Sequence, residues 1–161
     1  MALLRFWTTF AALLALLAAP LTAQDRVLPY WATLRYEKVN MRVGPSAEYP
    51  VAWVYVRKGL PVKVVRIREG WRLVEDEAGE QGWIAASQLD PARGGLVIGK
   101  ELAEVRAGPS AATAVKWRAE PGVVTRLKAC REGWCEVDIE GRKGWISAER
   151  LYGSERLPGD G

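Results

Sequence analysis

The stretch that decides the fold is Asn40-Met41-Arg42-Val43-Gly44-Pro45-Ser46, because it returns as Glu104-Val105-Arg106-Ala107-Gly108-Pro109-Ser110. Three more anchors recur in the same order. Arg68-Glu69-Gly70-Trp71 matches Arg131-Glu132-Gly133-Trp134, Gly82-Trp83-Ile84 matches Gly144-Trp145-Ile146, and Leu89 matches Leu151. The offset falls from 64 to 63 to 62 along the chain, so a couple of small deletions separate two copies of one unit. Self-similarity of this kind marks a duplicated structural module. Each copy has the size of a minimal domain, which buries only about 60% of its unfolded surface. Two such modules on a short linker are expected to pack as a fixed tandem.

Within each copy the segments are short, rich in Val, Ile, Trp and Tyr, and broken by Gly and Pro, which is β character. Strands are expected over residues 51–56, 61–67, 71–74 and 82–84, then one helical turn over 85–89. The second copy repeats the plan over 115–117, 123–129, 135–139 and 145–146. Long helical periodicity is absent from both copies. About five short strands at this spacing fit an all-β chain of two small, partly open barrels. The boundaries read as a first module over residues 24–90, a linker over 91–96, a second module over 97–153 and a disordered tail over 154–161.

Residues 1–23 precede the modules. They hold one early cation, Arg5, an apolar run over 6–19, then Pro20 and a small-residue ending at Ala23. This pattern reads as a secretory signal peptide cut after Ala23, the alternative being a retained N-terminal anchor. The apolar run falls short of the roughly 20 residues a membrane span needs, and no Cys stands near the cut to carry a lipid. The expectation is a periplasmic or secreted protein with no stable membrane span after cleavage.

Composition removes much chemistry. The chain has no His and two Cys, so histidine-based catalysis and His or four-Cys metal sites are excluded. No metal, no cofactor and no catalytic residue is expected, and the chain reads as no enzyme. The acids Glu75, Asp76 and Glu77 sit in an expected hairpin turn. The net charge of +4 comes from 23 cations interspersed with 19 acids. Such mixing makes a solvated surface, and no nucleic-acid partner is expected. Cys130 and Cys135 flank residues 131–134, read as a four-residue hairpin loop. Opposed positions on antiparallel strands lie within disulfide reach, so a structural disulfide is expected in an exported chain.

The pattern N-x-R-x-G-P-S, then G-W, then a second G-W and a closing Leu resembles the bacterial SH3 (SH3b) family. Asn40, Arg42, Gly44, Pro45, Ser46, Gly70, Trp71, Gly82, Trp83 and Leu89 carry the resemblance in the first copy. The second copy, with Glu104 in place of Asn, looks like the SH3-like domain of exported proteobacterial proteins. The resemblance implies a five- to six-stranded barrel with a long loop after the first strand, carrying 42–49 and 106–113. It also implies a groove beside that loop which can hold a cell-wall fragment. The implied role is a non-catalytic binding module for peptidoglycan or another envelope component. The alternative is an adaptor for an extended peptide or envelope protein.

The candidate ligand residues lie in the first copy: Tyr49, Trp53, Tyr55, Arg42 and Trp71. Trp53 and Tyr55 are two apart and so share one strand face. If Val54 and Val56 pack inward, the aromatics form an exposed platform. Otherwise they pack on the other module. Arg42 either bonds the long loop, the preferred reading, or contacts an anion. Trp71 and Trp134 are read first as core anchors.

Overall fold

The computed structural model describes residues 26–160. The signal peptide expected over 1–23 lies outside them. The described chain is two seven-stranded antiparallel sheets with no α-helix between them. The first sheet holds β1 (Tyr30–Leu34), β2 (Val39–Arg42), β3 (Val51–Tyr55), β4 (Pro61–Arg68), β5 (Trp71–Glu75), β6 (Gln81–Ala85) and β7 (Leu89–Asp90). The second holds β8 (Gly94–Val97), β9 (Ala103–Arg106), β10 (Val115–Ala119), β11 (Val124–Arg131), β12 (Trp134–Ile139), β13 (Arg142–Ser147) and β14 (Leu151–Tyr152). The strand orders are β3-β2-β6-β5-β4-β1-β7 and β10-β9-β13-β12-β11-β8-β14, the same topology twice. The helical turn expected near 85–89 is a 3₁₀ turn at Ala86–Gln88, mirrored at Ala148–Arg150.

Both deletions fall in turns. Five residues join β3 to β4, against four between β10 and β11. At the β5–β6 hairpin the ladder closes at the pair Glu75 and Gln81, whereas the β12–β13 ladder runs on to Ile139 and Arg142. The strands between the anchors therefore keep their register. Each sheet curls round its own apolar core, with Leu34, Val39, Val64, Val74 and Ile84 in one, and Val97, Val105, Cys135, Val137 and Ile146 in the other.

The expected linker and tail are different in the structure. Residues 91–96 do not form a linker, because β8 begins at Gly94. A Cβ on Gly94 would stand 2.6 Å from Thr33 Cγ2 and 2.8 Å from the Gly59 carbonyl. Glycine here lets β8 lie directly on the first module. The stretch 154–161, expected as disordered, folds back over β1 for all its described residues. Trp31 Nε1 donates to the Glu155 carbonyl at 2.8 Å, and the Trp31 amide donates to Asp160 Oδ1 at 2.9 Å. Tyr152 meets the Trp31 ring edge-on at 4.9 Å, and Leu157 is buried. All five residues of β1 are buried, because the core lies on one side and this tail on the other.

The disulfide joins Cys130 and Cys135, whose Cα atoms stand 4.0 Å apart as directly opposed residues. The intervening loop is tighter than four residues, since Arg131 and Trp134 also pair. Only Glu132 and Gly133 turn, with φ of 52° and 78°, the positive pair that a two-residue hairpin loop favours.

Candidate functional site

The long loop follows the second strand of each sheet, one strand later than the family resemblance implied, because β1 and β8 precede it. The repeated Gly-Pro-Ser segment builds the loop the same way twice. The Ser46 amide donates to the Gly44 carbonyl and the Tyr49 amide to the Ser46 carbonyl; Ser110, Gly108 and Thr113 repeat both bonds. Each Ser hydroxyl accepts from the amide two residues on, Glu48 or Ala112, at 3.2 Å. This local bonding is why Ser suits the position.

Arg42 and Arg106 close the loops. Arg42 Nη1 donates to the Tyr49 carbonyl at 2.6 Å. Arg106 Nη1 donates to the Thr113 carbonyl at 2.6 Å and the Ala111 carbonyl at 2.7 Å, and its Nη2 pairs with Glu104. Tyr49 lies with its ring face on Gly44: a Cβ there would be 2.6 Å from Cγ, Cδ1 and Cδ2 alike. In the second module Thr113 replaces the ring and bonds Gly108 through its hydroxyl.

The structure separates the first-copy aromatics. Trp53 is 59% exposed and Tyr49 47%. Tyr55 is buried, and its hydroxyl donates to Asp76 Oδ2 at 2.8 Å beside Met41 Sδ. Burial, reinforced by the Asp76 hydrogen bond and charge, pushes the Tyr55 phenol well above its ordinary range. A platform of Trp53 with Tyr55 therefore does not form, and Val54 and Val56 do not pack inward: Val56 is exposed. The cause is position. β3 ends the sheet, and over the unbroken pairs of Met41 with Trp53 and Val39 with Tyr55 both rings take the face of the buried Met41 and Val39, where Tyr55 is covered and Trp53 is not.

Trp71 is half-buried at the start of β5, opposite Ala85 of β6. Its counterpart Trp134 lines a groove of about 460 Å³ in the second module, with Leu102, Glu104, Arg106, Arg118 and Arg150. Two of these arginines are tied up as wall: Arg106 as above, and Arg150 through the carbonyls of Ile98 and Glu101. Arg118 reaches Glu104 Oε1 at 3.6 Å and is more than half exposed. The chemistry open to a ligand is thus the Trp134 face, Arg118 and the acids Glu101 and Glu149 at the rim. The register places Asn40, Arg42, Val54 and Trp71 at the same positions of the first module. The sequence marks Arg42, Trp71 and, as a departure from the family pattern, Glu104, but it points to the first copy and gives no signal for Arg118 or Arg150. The Arg-Glu-Arg chain across β9 and β10 leaves no signature in a one-dimensional pattern.

A family model described as bacterial SH3 domain matches residues 35–91 and again residues 99–153. The chain belongs to this family. No curated protein matches it. Among solved structures it is similar to NlpC2 from Trichomonas vaginalis (14% identity, TM-score 0.35, covering 77% of this chain and 48% of that one). It is similar also to NlpC1 from the same organism (14%, 0.36, 85% and 50%) and to an NlpC/P60 family protein from Bacillus cereus (12%, 0.35, 76% and 55%). The chain spans about half the length of these structures.

Proposed function

We propose that this bacterial SH3 pair is an exported, non-catalytic module that holds a repeating polymer of the cell envelope, with peptidoglycan as the ligand. Bacterial SH3 domains are often cell-wall binding modules. A disulfide between Cys130 and Cys135 fits a place outside the cytoplasm. The chain has no His, and both Cys are spent in the disulfide, which favours binding over nucleophilic chemistry.

One observation carries the reading: the second module holds a groove walled by Trp134, Arg106 and Arg118, and the duplicated ladder puts Trp71, Arg42 and Val54 at the register-matched places of the first. A half-buried Trp offers a flat apolar face to a sugar ring or peptide. Two sites on one body gain by avidity on a ligand that repeats. Arg118 and the rim acids suit a ligand carrying both carboxylate and amine, as wall peptides do.

The test is co-sedimentation with purified sacculi. Trp71→Ala and Trp134→Ala should each weaken retention by about tenfold, and the double variant should lose it, because avidity multiplies the two sites. Near-UV circular dichroism of each variant reports the fold. A chain that stays in the supernatant at low salt overturns the reading.

A further inference from the structure

We propose that the β3 edge of the first module pairs with the same edge of a second copy of the chain, forming a closed two-fold dimer. Four strands end the two sheets: β3, β7, β10 and β14. β7 and β14 are two residues long, too short to template another strand. β10 and the residue after it carry Lys116, Arg118 and Glu120. The residue bulged out of its ladder is Lys116, and Lys116 and Arg142 stand over the Trp117 ring at 5.1 and 4.3 Å. Charged side chains, lysine above all, are how sheets keep an edge from pairing.

β3 keeps the bulge but carries no charged side chain and is not short. Residues 51–56 read Val-Ala-Trp-Val-Tyr-Val, and the residue at the register shift is Ala52. Val51, Trp53, Val54 and Val56 are exposed, and Val43 and Tyr49 extend the patch into the loop. The second module serves as an internal control: the same edge, with the same shift of register, carries the opposite chemistry.

The ends of the strand select the partner. Glu48 precedes β3, and Arg57 and Lys58 follow it. An antiparallel pair of identical strands brings the acidic start of each against the basic end of the other, while the uncharged centre meets itself. Such a contact uses the one bare edge of each copy and closes on itself. The remaining edges are blunted, so it does not grow into a filament.

The proposal is read by mass and does not rest on wall binding. Sedimentation velocity of the chain, purified as the cell processes it, should give two copies at about 50 µM and one at about 1 µM, the range of a small edge interface. Val54→Lys and Trp53→Glu should each weaken the dimer at least about tenfold. Val115→Lys on β10 should leave the mass unchanged. In the unsubstituted chain, amide exchange over residues 51–56 should slow as concentration rises. A single copy at every concentration overturns the proposal. So does a dimer that survives both β3 substitutions, or concentration-dependent protection on β10 in place of β3.

Discussion

Gly82 and Gly144 open the two Gly-Trp-Ile anchors, and contact geometry explains them. A Cβ on Gly82 would lie 2.4 Å from Met41 Cγ and 3.1 Å from the Arg42 carbonyl. On Gly144 it would lie 2.4 Å from Val105 Cγ1, 3.1 Å from the Arg106 carbonyl and 3.3 Å from Trp117. Each is the point where one strand crosses close under the strand that carries the loop-closing arginine. Gly82→Ala and Gly144→Ala should each destabilise by about 1–3 kcal/mol, the cost of overpacking a filled core, read as a lower urea midpoint with unchanged slope. A second residue-scale prediction concerns Tyr55. Its folded-state phenol titrates above the ordinary value because of burial first, then Asp76. The stability tied to the neutral phenol is therefore complete below an unfolded pKa of about 10 and is lost as pH rises beyond it. Tyr152 is shifted the same way by burial and by Glu75. Between about pH 8 and pH 11, Tyr55→Phe should lose less stability than the unsubstituted chain in urea unfolding. An equal loss would show that Tyr55 does not drive the alkaline transition.

At the scale of elements, what the sequence disclosed tracks what each element depends on. Strands fixed by their own alternation and by the anchor turns, such as β4, β5, β11 and β12, were legible to within a residue or two. β1 and β8 were not. β1 is covered on one side by the C-terminal tail, and β8 lies on the first module through Gly94, a residue that reads as a turn former. Tyr55 differs for another reason: the period of two holds, but the face it shares with Trp53 is the core side, which alternation alone does not assign. The loops were legible in composition, since Gly-Pro-Ser encodes its own hydrogen bonds, while the Glu104–Arg118 pair across neighbouring strands was not. The β11–β12 hairpin yields its own prediction. Its disulfide closes a very short loop, so reduction should cost only about 2 kcal/mol by loop entropy. The first module's β4–β5 hairpin turns through the same Glu-Gly pair with no disulfide at all. Reduced chain should therefore keep its far-ultraviolet circular dichroism at room temperature. Unfolding on reduction would mean that the bond holds more than its own hairpin.

At the scale of the molecule, the tail determines whether the chain behaves as two modules or one. It lies where the start of the first module, the junction and the end of the second module meet. Arg93 Nη2 donates to the carbonyls of Gly153 and Glu155 at 2.7 and 2.8 Å, and Asp160 Oδ2 stands 3.9 Å from the same nitrogen. Asp160 also accepts from the amides of Trp31 and Leu157, and the Gly159 amide donates to the Pro29 carbonyl. Away from the tail the modules also meet where β8 packs at Gly94 on Thr33 and Gly59, and through single hydrogen bonds from Arg57 to the Gly122 carbonyl and from the Tyr152 hydroxyl to the Glu75 carbonyl. If two wall-binding grooves gain from being held on one body, the carboxylate of Asp160 maintains that arrangement from a distance. Asp160→Ala leaves the Trp31 amide buried without its acceptor, a cost of about 1–3 kcal/mol. It should also let the tail exchange and be cut after Arg156 by trypsin. Calorimetry should then show the single unfolding transition of the parent splitting or broadening, because each module alone is near the lower size limit for a stable core. Retention on sacculi should fall toward that of a one-groove variant while the folded signal persists. A variant that melts as one unit at the parental temperature would assign the coupling to the Gly94 contact with Thr33 and Gly59 instead.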